Sequence, residues 1–188
     1  MPSLNREIFD SLEFDAAASG EHAAAAREMS RLATIGTETA AMPRAEAYLR
    51  AGDQWLLADE PAEAADSFRL ALTDGGTVSV DPRVGLARAL FQLGDQREAQ
   101  DLMSALKADG PADPRTCDLA AELLVDRDDL AGALDWATAG VDMCLAAARD
   151  AECAEENPEL RMLLRLRYRI RNDLGLPEDS YDALLDET

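Results

Sequence analysis

Between residues 45 and 72 the chain reads "AEAYLRAGDQWLLADEPAEAADSFRLAL", and small and large residues take turns there at fixed offsets. Counted from Ala45, Gly52 falls at position 8, Trp55 at 11, Ala64 at 20, Phe68 at 24 and Ala71 at 27. The break at Asp59 to Pro61 splits the stretch into two helices, one over about 45–58 and one over about 61–74, with Pro61 in the first turn of the second. Small residues at positions 8 and 20 let two antiparallel backbones approach, while bulky ones at 11 and 24 fill the space beside them.

The same template returns along the chain. Laid down from Val80 it meets Ala87, Leu90, Ala99 and Met103 at positions 8, 11, 20 and 24, with "LGDQREA" at the turn between helices. From Pro114 it meets Ala121, Leu124, Ala133 and Ala137, with Gly140 at position 27. The starts lie 35 and 34 residues apart. A weaker copy begins near Arg6, with Phe9, Leu12, Gly20, Ala25 and Met29 at positions 4, 7, 15, 20 and 24; Glu13 takes a slot for a small residue, and about five extra residues precede the next unit. Both a repeat and a divergent hairpin fit residues 6–37. After Gly140 the last second helix can run on to Ala151 until "EENPEL" breaks it. A further helix is predicted from Pro158 to Leu174, stopped by Gly175 and Pro177, and a short helix over "EDSYDALLDE" closes the chain.

The period and the small and large slots over residues 45 to about 145 resemble the tetratricopeptide repeat, a 34-residue helix-turn-helix unit. The stretches "ADGPADPRTCDLAAELLVDRDDLAGALDWATAGV" and "RYRIRNDLGLPEDSYDAL" are similar to the repeat region of actinobacterial tetratricopeptide proteins. Some of those carry a SEC-C zinc knuckle, but this chain lacks its CxC, so no zinc site follows. The resemblance implies an all-α, right-handed short α-solenoid of antiparallel helical hairpins, 45–76, 80–111 and 114–153, with 6–37 before them and a C-terminal cap over 158–188, all in one domain. It also implies that positions 2, 5, 9, 12 and 13 of each first helix face a concave groove. Leu49, Asp53, Leu56, Val84, Arg88, Phe91, Asp118 and Glu122 are the candidate groove residues on that ground.

Composition narrows the reading further. Hydrophobic residues make up 47% of the 188, enough for a core, while aromatics are only 5% and β-branched runs are nearly absent, which favours helices. A net charge of −20 repels phosphate backbones, so nucleic acid is not an expected partner. There is no apolar run of roughly 20 residues and no signal-like start, so no membrane partner is expected and the chain is placed in the cytoplasm. Cys117, Cys144 and Cys153 have no CxxC spacing and read as reduced, structural thiols.

Catalytic patterns are thin. The single histidine, His22, has no HExxH or Gly-x-Ser-x-Gly partner motif and reads as a first-turn residue of a helix. "DRDD" (126–129) and "AEEN" (154–157) fall at expected turns, and "DGGTVSVD" (74–81) lacks the ligand order of a calcium loop. No cofactor or metal is expected, and the chain is not read as an enzyme. The expected function is a non-catalytic interaction module or scaffold whose groove takes another protein or peptide, a basic or amphipathic segment in preference to an acidic one. An enzyme subunit of unrecognised chemistry and a homo-oligomer that binds only itself remain as alternatives.

One stretch departs from the acidic background. "LRMLLRLRYRIR" (160–171) interleaves five arginines with Leu160, Leu163, Leu164, Tyr168 and Ile170. Its apolar stripe is expected to close the last hairpin, with the arginines facing carboxylates such as Asp142, Asp150, Glu152 or Glu155; pairing with an acidic face of a second copy is the alternative.

Overall fold

The computed structural model of the chain describes residues 3–150 and 157–185, which form nine α-helices and one 3-10 turn and contain no β-strand. The protein is all-α, and its helices gather into two compact units, Met1–Ala108 and Asp109–Thr188. In the first unit stand α1 (Arg6–Ser19), α2 (His22–Ile35), α3 (Arg44–Leu57), α4 (Pro61–Asp74), α5 (Pro82–Leu93) and α6 (Gln96–Asp109). In the second stand α7 (Pro114–Val125), α8 (Leu130–Asp150), α9 (Pro158–Asp173) and the 3-10 turn Asp182–Leu185, found where the sequence pattern predicts a short closing helix.

Local chemistry places these boundaries. Pro61, Pro82, Pro114 and Pro158 occupy the first turns of their helices, where a missing N–H costs nothing. Asn5, Asp81, Asp113 and Asn157 accept hydrogen bonds from otherwise unpaired first-turn N–H groups. Position 15 of every counted unit, the turn between paired helices, has left-handed backbone: φ is 79° at Gly20, 59° at Asp59, 88° at Gly94 and 60° at Asp128. Glycine enters that region freely, and aspartate is among the few other residues that tolerate it.

Within the first unit α2 packs on α3, α3 on α4 and α4 on α5, and α3 also meets both α1 and α5. Contact with the next helix and the next but one is the local arrangement of stacked hairpins. Phe68, fully buried on α4, shows how it is achieved: a side chain at Gly52 of α3 would lie 2.7 Å from its ring, and one at Gly85 of α5 would collide with the same ring. One aromatic ring therefore fills a notch in the helix before it and a notch in the helix after it. Ala25, Ala64 and Ala99, at position 20, are all buried. The extra residues before α3 are not idle. Leu4 N–H donates to Thr37 O at 2.7 Å, Thr39 pairs with Met42, and Met42 enters a core with Phe9, Met29 and Tyr48.

In the second unit α8 packs between α7 and α9, and α9 also touches α7. A Cβ at Gly140 of α8 would lie 2.9 Å from both Cys117 of α7 and Leu163 of α9, so this glycine is the point of closest approach. Val141, Cys144, Leu160, Leu163 and Leu164 form the core there, joined by Tyr181, Leu184 and Leu185 from the chain end. The apolar stripe of α9 is thus turned inward, with one correction: Tyr168 is exposed at 37%. No helix among the described residues is long and apolar enough to cross a membrane.

Candidate interaction faces

The eight candidate groove residues divide by exposure. Leu49 and Val84 are covered by the chain itself, at 4% and 2% exposure, so neither can meet a partner in this conformation. Asp53 is exposed on α3, and Leu56 on α3 and Arg88 and Phe91 on α5 are half-buried. Helix α3 meets both α1 and α5, and the four residues stand at the same two positions of their units, 9 (Asp53, Arg88) and 12 (Leu56, Phe91). In the second unit Glu122 is exposed on α7, whereas Asp118 is buried.

Arg50 ties the first-unit face together. Its guanidinium donates to Glu13 and Asp10 of α1, each at 2.6 Å, and lies 5.6 Å from the Phe9 ring. Glu13 stands at position 8, where the other units have a small residue, and here its carboxylate is the anchor for α3. Two further polar side chains are absorbed by local architecture. Gln54 is buried and within 2.9 Å of His22 Nδ1 at the start of α2. Glu46 accepts from the Ser79 N–H at 2.7 Å and from its hydroxyl at 3.0 Å, pinning the connection between α4 and α5. The sole histidine therefore sits at a helix start, hydrogen-bonded to an amide rather than to a nucleophile.

Asp118 has no such partner. Its Oδ1 is buried without any hydrogen bond, and burial, reinforced by Glu122 and Glu159 and opposed by Arg115, pushes its carboxyl up to about 6. The thiols nearby are inert for the same kind of reason. Cys117 and Cys144 are buried and free; burial first, and then the charge of Asp113, pushes Cys117 up to about 12, and burial raises Cys144 as well. Cys153 lies outside the described residues. No group of three or more His, Cys, Asp or Glu among the described residues is arranged to hold a metal ion.

The most densely charged cluster is one the sequence pattern assigns to other residues. Arg167 of α9, 4% exposed, donates to Asp179 at 3.0 and 2.7 Å and to Asp182 at 3.4 Å, and its Nε donates to Thr138 of α8 at 3.1 Å. Arg171, one turn on, pairs with Asp179 at 3.0 Å and Asp182 at 3.1 Å and donates to the Pro177 carbonyl. The Arg167 guanidinium also lies 4.5 Å from the Tyr181 ring, whose hydroxyl donates to Asp142 at 2.5 Å. The partners of these arginines are thus Asp179 and Asp182, not Asp142; Asp150, Glu152 and Glu155 offer no described side chain. The reason is reach: a buried guanidinium needs carboxylates that come in with their own hydrogen bonds, and Asp182 also accepts from the Asp179 N–H. Arginines four apart on one helix face opposite aspartates three apart in the tail were the legible signal. An open groove of about 630 Å³ lies beside this cluster, lined by Asp142, Leu145, Ser180, Tyr181 and Leu184.

No protein-family model, curated protein or solved structure matches the chain.

Proposed function

We propose that the chain is a non-catalytic interaction module, of the tetratricopeptide kind its sequence resembles, that binds a basic or amphipathic segment of another protein on the face formed by α1, α3 and α5. The supporting observation is that Leu56 of α3 and Phe91 of α5, on neighbouring helices, keep part of their surface in solvent, with the exposed Asp53 one turn before Leu56. Apolar side chains next to a carboxylate suit a segment that carries both an apolar anchor and a cation. Arg50 is held by two carboxylates of α1 and offers little to an acidic tail. Titrating the protein at low salt with a basic amphipathic peptide and with an acidic one tests the reading. The basic peptide is expected to bind more tightly and to lose affinity in Leu56→Asp and Phe91→Asp variants. Tighter binding of the acidic peptide, or indifference to both substitutions, would refute it.

A further inference from the structure

The outward side of α9 is a different surface from that face and carries an inference of its own. Helix α9 has five arginines against two carboxylates in a chain of net charge −20. Arg167 and Arg171 are used up on the tail, whereas Arg165 and Arg169, one turn apart on the opposite side, are exposed and make no hydrogen bond or ion pair with any described residue. Met162, 50% exposed, and Tyr168, 37% exposed, flank them. The result is a pair of unpaired guanidinium groups flanked by apolar side chains, aimed at solvent.

The same chain supplies the matching surface. Helix α1 has one arginine against four carboxylates. Phe14, at 75% exposure, and Ile8, at 44%, are uncovered on it, with the exposed Glu7 and Asp15 beside them and in no ion pair; Glu7 and Phe14 stand at positions 2 and 9 of their unit, so this patch adjoins the face proposed above. Phe14 is the most exposed large hydrophobic residue among those described. In both helices the apolar pair is six residues apart, about 9 Å along a helix axis and about 120° around it, with the charged pair between, so opposite charges can meet at the centre of the contact with an apolar side chain on either flank.

We propose that the outward face of α9 docks onto the outward face of α1 of a second copy of this chain. Such a contact uses two different patches, so in a pair one copy keeps its α1 patch free and the other its α9 patch, and association continues past the dimer unless a ring closes. Aromatic, methionine and arginine side chains are also the types enriched in protein interfaces.

Sedimentation velocity across a wide range of protein concentration at low salt tests the proposal. The wild-type chain is expected to form species larger than dimers, and added salt should weaken them. Phe14→Glu and the double variant Arg165→Glu/Arg169→Glu each keep one intact patch, so each alone is expected to be monomeric. Mixed in equal amounts, the two variants should form a heterodimer and nothing larger. All three positions are exposed, so circular dichroism should match the wild type, and melting temperature should match it at dilutions where the wild type is monomeric, which excludes misfolding as the cause. A wild-type chain that stays monomeric throughout, variants that associate as the wild type does, or a mixture that gives no heterodimer would each overturn the proposal.

Discussion

Ala64 and Ala62 differ by two residues in sequence and completely in surroundings. Ala64 is buried between α4 and its neighbours, while Ala62 faces solvent. Ala64→Leu should therefore overpack the hairpin and cost roughly 1–3 kcal/mol, whereas Ala62→Leu should stay within about 0.5 kcal/mol. Denaturant melts of both variants check this, and equal midpoints would count against it. Asp118 calls for a prediction in pH. Its carboxyl is raised to about 6, above the ordinary value near 4, so the folded chain holds this proton more tightly than the unfolded one. The stability it contributes is complete below about pH 4 and is lost as pH rises through 6, on the order of 2 kcal/mol in all. Asp118→Asn should flatten the wild-type decline between about pH 4 and 6 and raise the melting temperature at pH 7. An unchanged profile would show that the carboxyl titrates normally.

Among the elements, α9 and the tail that straps it depend on one another. Asp179 is held down to about 2, chiefly by its hydrogen bond from Arg167, so its share of stability is present above about pH 4 and disappears as pH falls through 2. Ending the chain after Gly175 would leave the Arg167 guanidinium buried without a carboxylate and strip Tyr181, Leu184 and Leu185 from the core. The expected loss is about 3–5 kcal/mol, with dye-accessible apolar surface appearing on α8 and α9. Adding Arg167→Met to the shortened chain should restore part of the melting temperature, because the unpaired charge is gone; no recovery would mean that the ionic cluster contributes little. The helices themselves were legible in the sequence because proline, aspartate and glycine mark their ends within a residue or so. The position-15 turn, from Gly20 to Asp128, was legible in the same way. What escaped were contacts between non-adjacent segments. The tail aspartates lie outside any repeat, and the burial of Asp118 depends on neighbouring helices that a position count within one hairpin leaves out.

At the level of the whole molecule, two electrostatic effects oppose each other. Thirty-eight carboxylates against eighteen basic residues give a net repulsion that salt screens, whereas the ion pairs on α9 and Arg50 lose strength in salt. Arg167 and Asp182 are nearly inaccessible to ions, at 5% side-chain exposure each, so the repulsion should be the larger part of what salt changes. The melting temperature is therefore expected to rise between low and physiological ionic strength at pH 7. A fall over that range would mean that local pairs outweigh the charge of the chain.

The ring of Phe68, shared by the notches at Gly52 and Gly85, has a genetic consequence. Three positions on three helices are constrained as a single locus. Gly85→Ala, damaging beside a phenylalanine, should become tolerable once Phe68→Leu has emptied part of the space, and that leucine should in turn need the extra methyl to fill its void. Drift at these sites would then proceed by paired suppressor changes, leaving substitutions at Phe68 and Gly85 correlated among related chains.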